Sequence, residues 1–257
     1  MPPPPPPFFF SSIVWCFLVR NADRYLDANA NRLISVSERA APLWGMQYLE
    51  NDSTDANTRP ILHRLELAHP GRVRGEMLNV SNNTSSLSLC HLRARQARNC
   101  RARTELLASF RQRLLVAALV RKPTLLVMVD IDFVSFDADA LVRLFQLRAT
   151  LDADGVFGVS LNKRRGTLYD TGSVEPQSAL SLMVMRTKNH SRPIRVRSAF
   201  SGFGLYSAAS IVAHNASYLA PFSTRLGRNG GGEIEHIRFN SRLTKLYVDV
   251  DFRPVYR

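Results

Sequence analysis

The 257-residue chain has few cysteines and lacks a long apolar run. Three cysteines are too few, and odd in number, for a disulfide framework, and the sequence contains no Cys-x-x-Cys pair typical of zinc sites. The most apolar segment, residues 8–19, has 12 residues, whereas a membrane-spanning helix needs about 20. That segment also lacks a preceding basic stretch and a small-residue cleavage site, which argues against a signal peptide. We therefore expect no disulfide scaffold and no convincing transmembrane helix.

Lysine is scarce as well, although the chain is strongly basic. Of its 34 basic residues four are lysines and 30 are arginines, and with 21 acidic residues the net charge is +13. Arginine pairs with phosphate through two parallel hydrogen bonds, so the excess favours an anionic partner; a general bias toward arginine is the alternative. A hydrophobic content of 45% is ordinary for a globular chain and excludes wholesale disorder, collagen and coiled coil.

The N-terminal residues 1–12 form a leader in which six prolines precede three phenylalanines. Consecutive prolines favour a stiff, extended backbone without a core of its own. The β-branched and aromatic residues that follow favour a buried strand at residues 13–19, and a membrane-associated leader is the alternative.

From residue 13 onward the sequence alternates between strand-like and helix-like segments. This alternation predicts an α/β fold with a mostly parallel, Rossmann-like central sheet flanked by helices. Asn21 or Asp23 is expected to cap the first helix. Beyond about residue 152 the pattern becomes irregular, so we expect one continuous domain (13–257) with a donor-binding half (13–150) and an acceptor-side half (151–257). The predicted strands are 13–19, 44–49, 73–80, 124–129, 156–162, 180–186, 194–200 and 245–252, the predicted helices are 21–36, 54–68, 92–120 and 137–149, and 204–213 is expected to pass from strand to helix.

Two carboxylates, Asp130 and Asp132, directly follow the unbroken apolar run of the strand predicted at 124–129. The carboxyl ends of strands in an open parallel sheet are where ligands bind. Two neighbouring carboxylates at such an end repel each other unless a cation or proton intervenes, and their oxygens suit Mg²⁺ or Mn²⁺. An isolated Asp-x-Asp is equally consistent with a helix cap and a surface aspartate.

Other polar segments lie near predicted strand ends. The acidic turn at 50–55 can meet a nucleotide, although turn and helix-cap chemistry is the favoured explanation of its composition. The helix at 92–120 carries a basic face, which either neutralises a diphosphate or is simply solvated. The small segment 201–204 allows the backbone to approach a ligand, and the Glu235–His236 pair provides a candidate base and a candidate metal ligand.

Six segments, in this order, carry a resemblance to a known family. The chain is similar to GT-A-fold, nucleotide-sugar-dependent glycosyltransferases, and specifically to the fungal capsule-associated and Golgi mannosyltransferases. The resemblance spans about residues 13–247 and implies transfer of a hexose from a GDP- or UDP-sugar to a glycan or other hydroxyl acceptor. The segments are FLVRNADRYL, YLENDSTD, RTELLASFRQRLL, LLVMVDIDF, RSAFSGFGLY and EHIRFN.

The resemblance also implies roles for individual residues. Asp130 and Asp132 would bind Mn²⁺ or Mg²⁺ that holds the donor diphosphate, with His236 near the same metal. If the reaction inverts the anomeric centre, Glu235 is the candidate base; if it retains the anomer, no strong base is needed, and the sequence does not choose. The remaining donor-binding positions are Arg20, Glu50, Asp52 and Arg111.

Two other interpretations remain open. Asp130 and Asp132 fit the Asp-x-Asp-x-Val pattern of haloacid-dehalogenase-like phosphatases, with Asp130 as nucleophile and Asp132 as acid. A basic nucleic-acid- or membrane-binding module is the second alternative. Within the basic segment 91–122, however, Phe110 is the one aromatic residue, whereas single-strand binders interleave aromatic residues with charge, so no nucleic acid is expected. We expect a soluble protein of the cytoplasm or the secretory lumen, with weak membrane association at most.

Overall fold

The computed structural model describes residues 9–78, 97–163, 168, 174–176, 178–179, 183, 192–220 and 235–256. The described residues form 12 strands and six helices. The helices are α1 (Asp23–Ala40), α2 (Thr58–Ala68), α3 (Ala97–Leu119), α4 (Ala138–Leu151), α5 (Ala208–Ala213) and α6 (Glu235–Asn240). The strands are β1 (Ser12–Val19), β2 (Leu43–Asn51), β3 (Val73–Leu78), β4 (Leu125–Asp130), β5 (Gly155–Phe157), β6 (Leu161–Asn162), β7 (Val174–Glu175), β8 (Ile194–Val196), β9 (Ser198–Ala199), β10 (Phe203–Ser207), β11 (Leu246–Val248) and β12 (Val255–Tyr256).

Eight strands form one sheet in the order β3-β2-β1-β4-β10-β5-β11-β8. Strands β3, β2, β1 and β4 are mutually parallel, and only β10 and β8 run against the direction shared by the other six. Two small sheets, β12-β6 and β7-β9, lie apart from it. The predicted α/β architecture with a mostly parallel central sheet and flanking helices is therefore confirmed.

The central strands are buried on both faces, which explains their continuous apolar sequence. In β1, Trp15 and Phe17 belong to the core cluster beneath α1, α2 and α4, whereas Val14 and Cys16 belong to the cluster beneath α3 and α6. Side chains of a strand alternate between the faces of the sheet, so both faces of β1 must be apolar. Burial also raises the pKa of the Cys16 thiol. The predicted strand at 13–19 is confirmed as the strand between β2 and β4.

The starts of the first two helices differ from the prediction. Asn21 has a left-handed backbone (φ 49°), and its Oδ1 accepts hydrogen bonds from the backbone N–H groups of Thr54 and Asp55 at 2.7 and 3.3 Å. It therefore braces the turn after β2, and α1 begins after Ala22 without a side-chain cap. The Asp55 carboxylate accepts from the N–H and the hydroxyl of Thr58, which delays the start of α2 to that residue.

The strands of the C-terminal half are shorter than predicted. The strand predicted at 156–162 is divided between β5 in the large sheet and β6 in a small one, and the strand predicted at 194–200 is divided between β8 and β9. The strand predicted at 180–186 falls, apart from Met183, outside the described residues. Along the described part of the chain, we find no helix whose length and apolar character would let it cross a bilayer.

Candidate functional site

The chain order of the sheet creates a switch point between β1 and β4. From β1 the chain builds β2 and β3 on one side and then returns to place β4 on the other side. The crevice outside the carboxyl ends of strands at such a point is the usual ligand site of an open α/β sheet. Leu18 lies opposite Asp130 and Val19 lies opposite Glu50, so the polar residues after β1, β2 and β4 share one edge. We call this the strand-end edge.

Asp130 and Asp132 both reach the solvent side of this edge. Asp130 ends β4 with its side chain 26% exposed, Asp132 is exposed, and Ile131 between them is buried. The buried amide of Asn29, on α1, donates to the carbonyls of Ile131 and Phe133 at 2.8 and 2.7 Å. Asn29 therefore fixes the backbone on both sides of Asp132. No sequence pattern predicts this role, because a mid-helix asparagine is usually solvated.

A second contact fixes the backbone of Asp130. Its N–H donates to the carbonyl of Gly202 at 2.8 Å, and the Tyr256 hydroxyl donates to the carbonyls of Asp130 and Gly202 at 3.0 Å each. Gly202 has a φ of +85°, and a Cβ there would meet the Tyr256 hydroxyl. The approach of a ligand to the backbone at 201–204 stays a prediction, and the structure places the backbone of Gly202 against the end of β4.

Arg111, on α3, joins two distant carboxylates beneath this edge. Its Nη2 donates to Asp130 Oδ1 at 3.0 Å and its Nε donates to Glu235 Oε1 at 3.1 Å, and its guanidinium lies 5.2 Å from the centre of the Phe200 ring. Burial alone would lower the pKa of Arg111, but Asp130 and Glu235 outweigh it and raise the pKa, so the side chain stays cationic. Its Nη1 is buried and has no hydrogen-bond partner among the described residues.

Glu235 and His236 open α6 and lie in the same buried cluster. The His236 ring stacks on Phe200 with centroids 3.4 Å apart, its Nδ1 is 3.3 Å from the Tyr218 hydroxyl, and its Nε2 is 3.8 Å from Glu235 Oε1. Burial, followed by the charge of Arg111, lowers the pKa of His236 well below its usual value. The imidazole is therefore neutral near pH 7. Tyr218 and Phe200 were not singled out from the sequence.

The acidic turn after β2 divides into a buried and an exposed part. Glu50 is fully buried, and its carboxylate accepts from the Ser53 N–H and from Arg59 Nε, both at 2.7 Å. Asp52 has a φ of 57° and pairs at 3.6 Å with Arg20, and both of these side chains are partly exposed. Of the predicted nucleotide-facing pair, Asp52 is accessible, and the carboxylate of Glu50 stabilises its own turn.

The predicted metal ligands do not form a ready-made site of three residues. Among the residues that the structure describes, no group of three or more His, Cys, Asp or Glu side chains could hold a metal ion. Asp130 and Asp132 are hard oxygen donors two residues apart, and Mg²⁺ or Mn²⁺ is commonly held by one or two carboxylates together with substrate phosphates. These two residues therefore fit a cation whose remaining ligands come from a bound diphosphate and water. The ligand role of His236 stays a prediction, since its ring packs against Phe200 and Tyr218.

Comparison with known proteins gives no matching family model and no matching curated protein. Solved structures do match. S. aureus TarS 1–349 is 12% identical, with a TM-score of 0.53 over 95% of this chain and 60% of that one. The same protein in complex with UDP-GlcNAc matches at 10% identity and 0.53, covering 96% and 59%. The mannosyltransferase PcManGT from Pyrobaculum calidifontis, in complex with GDP-Man and Mn²⁺, matches at 12% and 0.50, covering 95% and 56%.

These similarities establish the fold. The GT-A-like architecture expected from the sequence is confirmed, because nearly the whole chain superposes on nucleotide-sugar-binding proteins. The chain spans about 60% or less of the length of these structures. The narrower resemblance to fungal capsule-associated and Golgi mannosyltransferases is not confirmed, and the matches give no support to a haloacid-dehalogenase-like phosphatase.

Proposed function

We propose that this protein is a metal-dependent glycosyltransferase that moves a hexose, of the mannose type, from a GDP- or UDP-sugar to a hydroxyl of a glycan or similar acceptor. The observation that carries the proposal is the buried cluster at the switch point. There Arg111 joins Asp130, at the end of a central strand, to Glu235, on a helix more than 100 residues later in the chain. The fold supports the same assignment, because its relatives have been crystallised with nucleotide sugars.

In this proposal the donor lies over the ends of β1 and β4. Asp130 and Asp132 would hold Mg²⁺ or Mn²⁺ together with the donor diphosphate, and a bound cation would neutralise negative charge on the departing nucleoside diphosphate. Arg20 and Asp52 are partly exposed beside this position. Arg20 would meet a phosphate and Asp52 a hydroxyl of the nucleotide, since guanidinium binds phosphate and carboxylate accepts from hydroxyls. Glu50 acts only by shaping the turn that presents Asp52.

The acceptor end would be set by Glu235. The Glu235 carboxylate can accept a hydrogen bond from the hydroxyl of the sugar acceptor. If the reaction inverts the anomeric centre, the carboxylate can also remove the proton of that hydroxyl. Arg111 holds this carboxylate at a fixed distance from the donor end, and preorganised charge of this kind stabilises a transition state without reorganisation. The neutral ring of His236 packs beside Glu235 and limits access of water to it.

A donor panel tests the proposal. The full chain is incubated with UDP- and GDP-sugars and Mn²⁺, and release of nucleoside diphosphate is measured with and without a chelator. We expect one donor to be hydrolysed slowly in a metal-dependent manner. Asp132→Ala should lower release by at least about 100-fold without changing the circular dichroism spectrum, because Asp132 is exposed.

Asp139→Ala is the matched control, since Asp139 is also an exposed aspartate, near the start of α4, and it pairs with the exposed Arg39. This variant should keep the wild-type rate. Failure to release nucleoside diphosphate from any donor, or release that survives both the chelator and Asp132→Ala, contradicts the proposal. Hydrolysis of small phosphoesters that depends on Asp130 would favour the phosphatase instead.

A further inference from the structure

The opposite edge of the sheet, where the parallel strands begin, carries a separate cluster of side chains. We call it the strand-start edge and define it as residues 41–44, 67–74 and 120–124. Contacts tie its three segments together. Arg121 donates to the carbonyls of Arg72 and Gly71 at 2.8 and 2.9 Å, and the Arg72 guanidinium lies 4.8 Å from the Trp44 ring. These segments therefore form one continuous surface.

The cations of the strand-start edge have no carboxylate partner among the described residues. Its three segments contain Arg72, Arg74, Arg121 and Lys122 and no acidic residue. Arg72, Arg74 and Lys122 are exposed, Arg121 is partly exposed, and none of the four pairs with a carboxylate among the described residues. Burial, followed by the charge of Arg74, lowers the pKa of Arg121. The surface therefore presents crowded positive charge to its surroundings.

Large apolar side chains are exposed on the same segments. Leu43 is 62% exposed, Leu67 is 70% exposed and Val120 is 77% exposed. Single exposed apolar residues are ordinary on soluble proteins. Here Leu67 and Val120 lie on the two segments that carry the cations, and Leu43 lies on the third segment, beside Trp44. Interfacial membrane surfaces combine these two features, because the cations attract anionic headgroups while the apolar side chains enter the acyl boundary.

We propose that the strand-start edge binds an anionic lipid bilayer. Charge complementarity favours this partner, since each Lys or Arg near an anionic membrane raises its affinity about fivefold. Nucleic acid is disfavoured as a partner. The three segments contain one Trp, Tyr or Phe residue, Trp44, and this side chain is buried and offers no face for base stacking. Bound in this way, the protein would direct its strand-end edge away from the membrane and leave the proposed donor site open.

Vesicle sedimentation with the full chain tests this proposal. Vesicles of phosphatidylcholine alone are compared with vesicles that also contain phosphatidylserine, at low and at high salt. We expect binding to the anionic vesicles only, weakened by salt. Arg72→Glu with Lys122→Glu should lower the affinity at least about tenfold, and Leu43→Ser with Val120→Ser should lower it severalfold.

Matched variants provide the controls. Arg24→Glu with Arg32→Glu makes the same change of charge on exposed residues of α1, and Val212→Ser with Leu219→Ser removes apolar side chains that are 67% and 57% exposed elsewhere. Both should bind like wild type. The proposal is overturned by absence of binding, by equal losses in the test and control pairs, or by tighter binding to RNA than to anionic vesicles. Nucleoside diphosphate release without lipid should persist in all four variants, so this test is independent of the proposed transferase activity.

Discussion

The two edges of the central sheet use arginine in opposite ways. At the strand-end edge, Arg111 is only 5% exposed, and its guanidinium is shared between two carboxylates that lie far apart in the sequence. At the strand-start edge, Arg72 and Arg121 contact backbone carbonyls or an aromatic ring, and no carboxylate among the described residues pairs with either. The first edge fixes its charges in one geometry, and the second leaves them available to a partner.

This difference shows that net charge describes the molecule poorly. A chain of charge +13 places buried ion pairs where we propose that an anionic donor binds, and at the other end it carries four cations that pair with no carboxylate among the described residues. A buried cation with its carboxylates costs solvation, but removing one member leaves an uncompensated charge. An exposed cation costs little and contributes little to stability. Stability measurements should therefore separate the two edges.

Arg111→Met is expected to cause the largest loss. The variant keeps the volume of the side chain but leaves Asp130 and Glu235 without their cation, so the free energy of unfolding should fall by about 3 kcal/mol or more. Urea denaturation followed by circular dichroism measures this change. Arg111→Lys should lose less, since it keeps the charge but not the two fixed N–H donors that reach Asp130 and Glu235.

Arg113 supplies the matched control for Arg111. It lies two residues further along α3 and pairs with Glu76, with both side chains about half exposed. Arg113→Ala should therefore change the free energy of unfolding by less than about 1 kcal/mol. Equal losses at Arg111 and Arg113 would show that burial does not distinguish these arginines, and the large cost expected for losing the buried cation of the strand-end edge would be wrong.

Asn29→Leu tests the polar anchor of the strand-end edge and is expected to have the next largest effect. The substitution removes the donor shared by the carbonyls of Ile131 and Phe133, which are then buried without it, so stability should fall by about 1–3 kcal/mol. Asn31→Leu is the control, because among the described residues the exposed Asn31 amide donates to the carbonyl of Asp27 within its own helix and to no other element. Loss of stability in Asn31→Leu but not in Asn29→Leu would contradict the assignment.

The central sheet was largely predictable because its signals are local. The continuous apolar runs of β1 and β4 reflect burial on two faces, and the alternation with helices fixes a parallel arrangement. Asp130 and Asp132 were found because they directly follow such a run. The division of 156–162 between two sheets was not predictable, because it depends on pairing with β11 and β12, which come about 90 residues later.

The inner structure of the candidate site depends on the same long-range contacts. The sequence pointed to Arg111, Asp130 and Glu235 as separate residues, and it contained no information that one guanidinium joins them. Asn29 and Tyr256 have no motif around them, yet each fixes the backbone beside an aspartate. Glu50 was predicted to face the nucleotide because it belongs to an acidic turn. In the structure its carboxylate accepts hydrogen bonds from Ser53 and Arg59, and the sequence did not show these contacts.

His236→Asn is expected to have the smallest effect on stability. The effect is a change in how the free energy of unfolding depends on pH. Burial, and then Arg111, keep the folded imidazole neutral, whereas the unfolded one takes up a proton near its usual pKa of 6.5. The unfolded state therefore binds more protons below that pH, and wild-type stability should fall by about 1 kcal/mol per pH unit as the pH drops below about 6.5. His236→Asn cannot take up this proton, so its stability should fall less between about pH 6.5 and pH 5.

The measurement is a set of urea midpoints from about pH 8 to pH 5 for wild type and variant. At about pH 8 the variant should be the less stable protein, because asparagine loses the stack on Phe200, and the gap to wild type should narrow as the pH falls. His69→Asn is the matched control at the strand-start edge, where His69 is partly exposed, and the acid-induced loss caused by His236 should persist in it. A gap between wild type and His236→Asn that stays constant over this range would mean that the imidazole is hydrated or charged in the folded state. The strand-end edge would then be as open to water as the strand-start edge, and the contrast between a closed and an available set of charges would not hold.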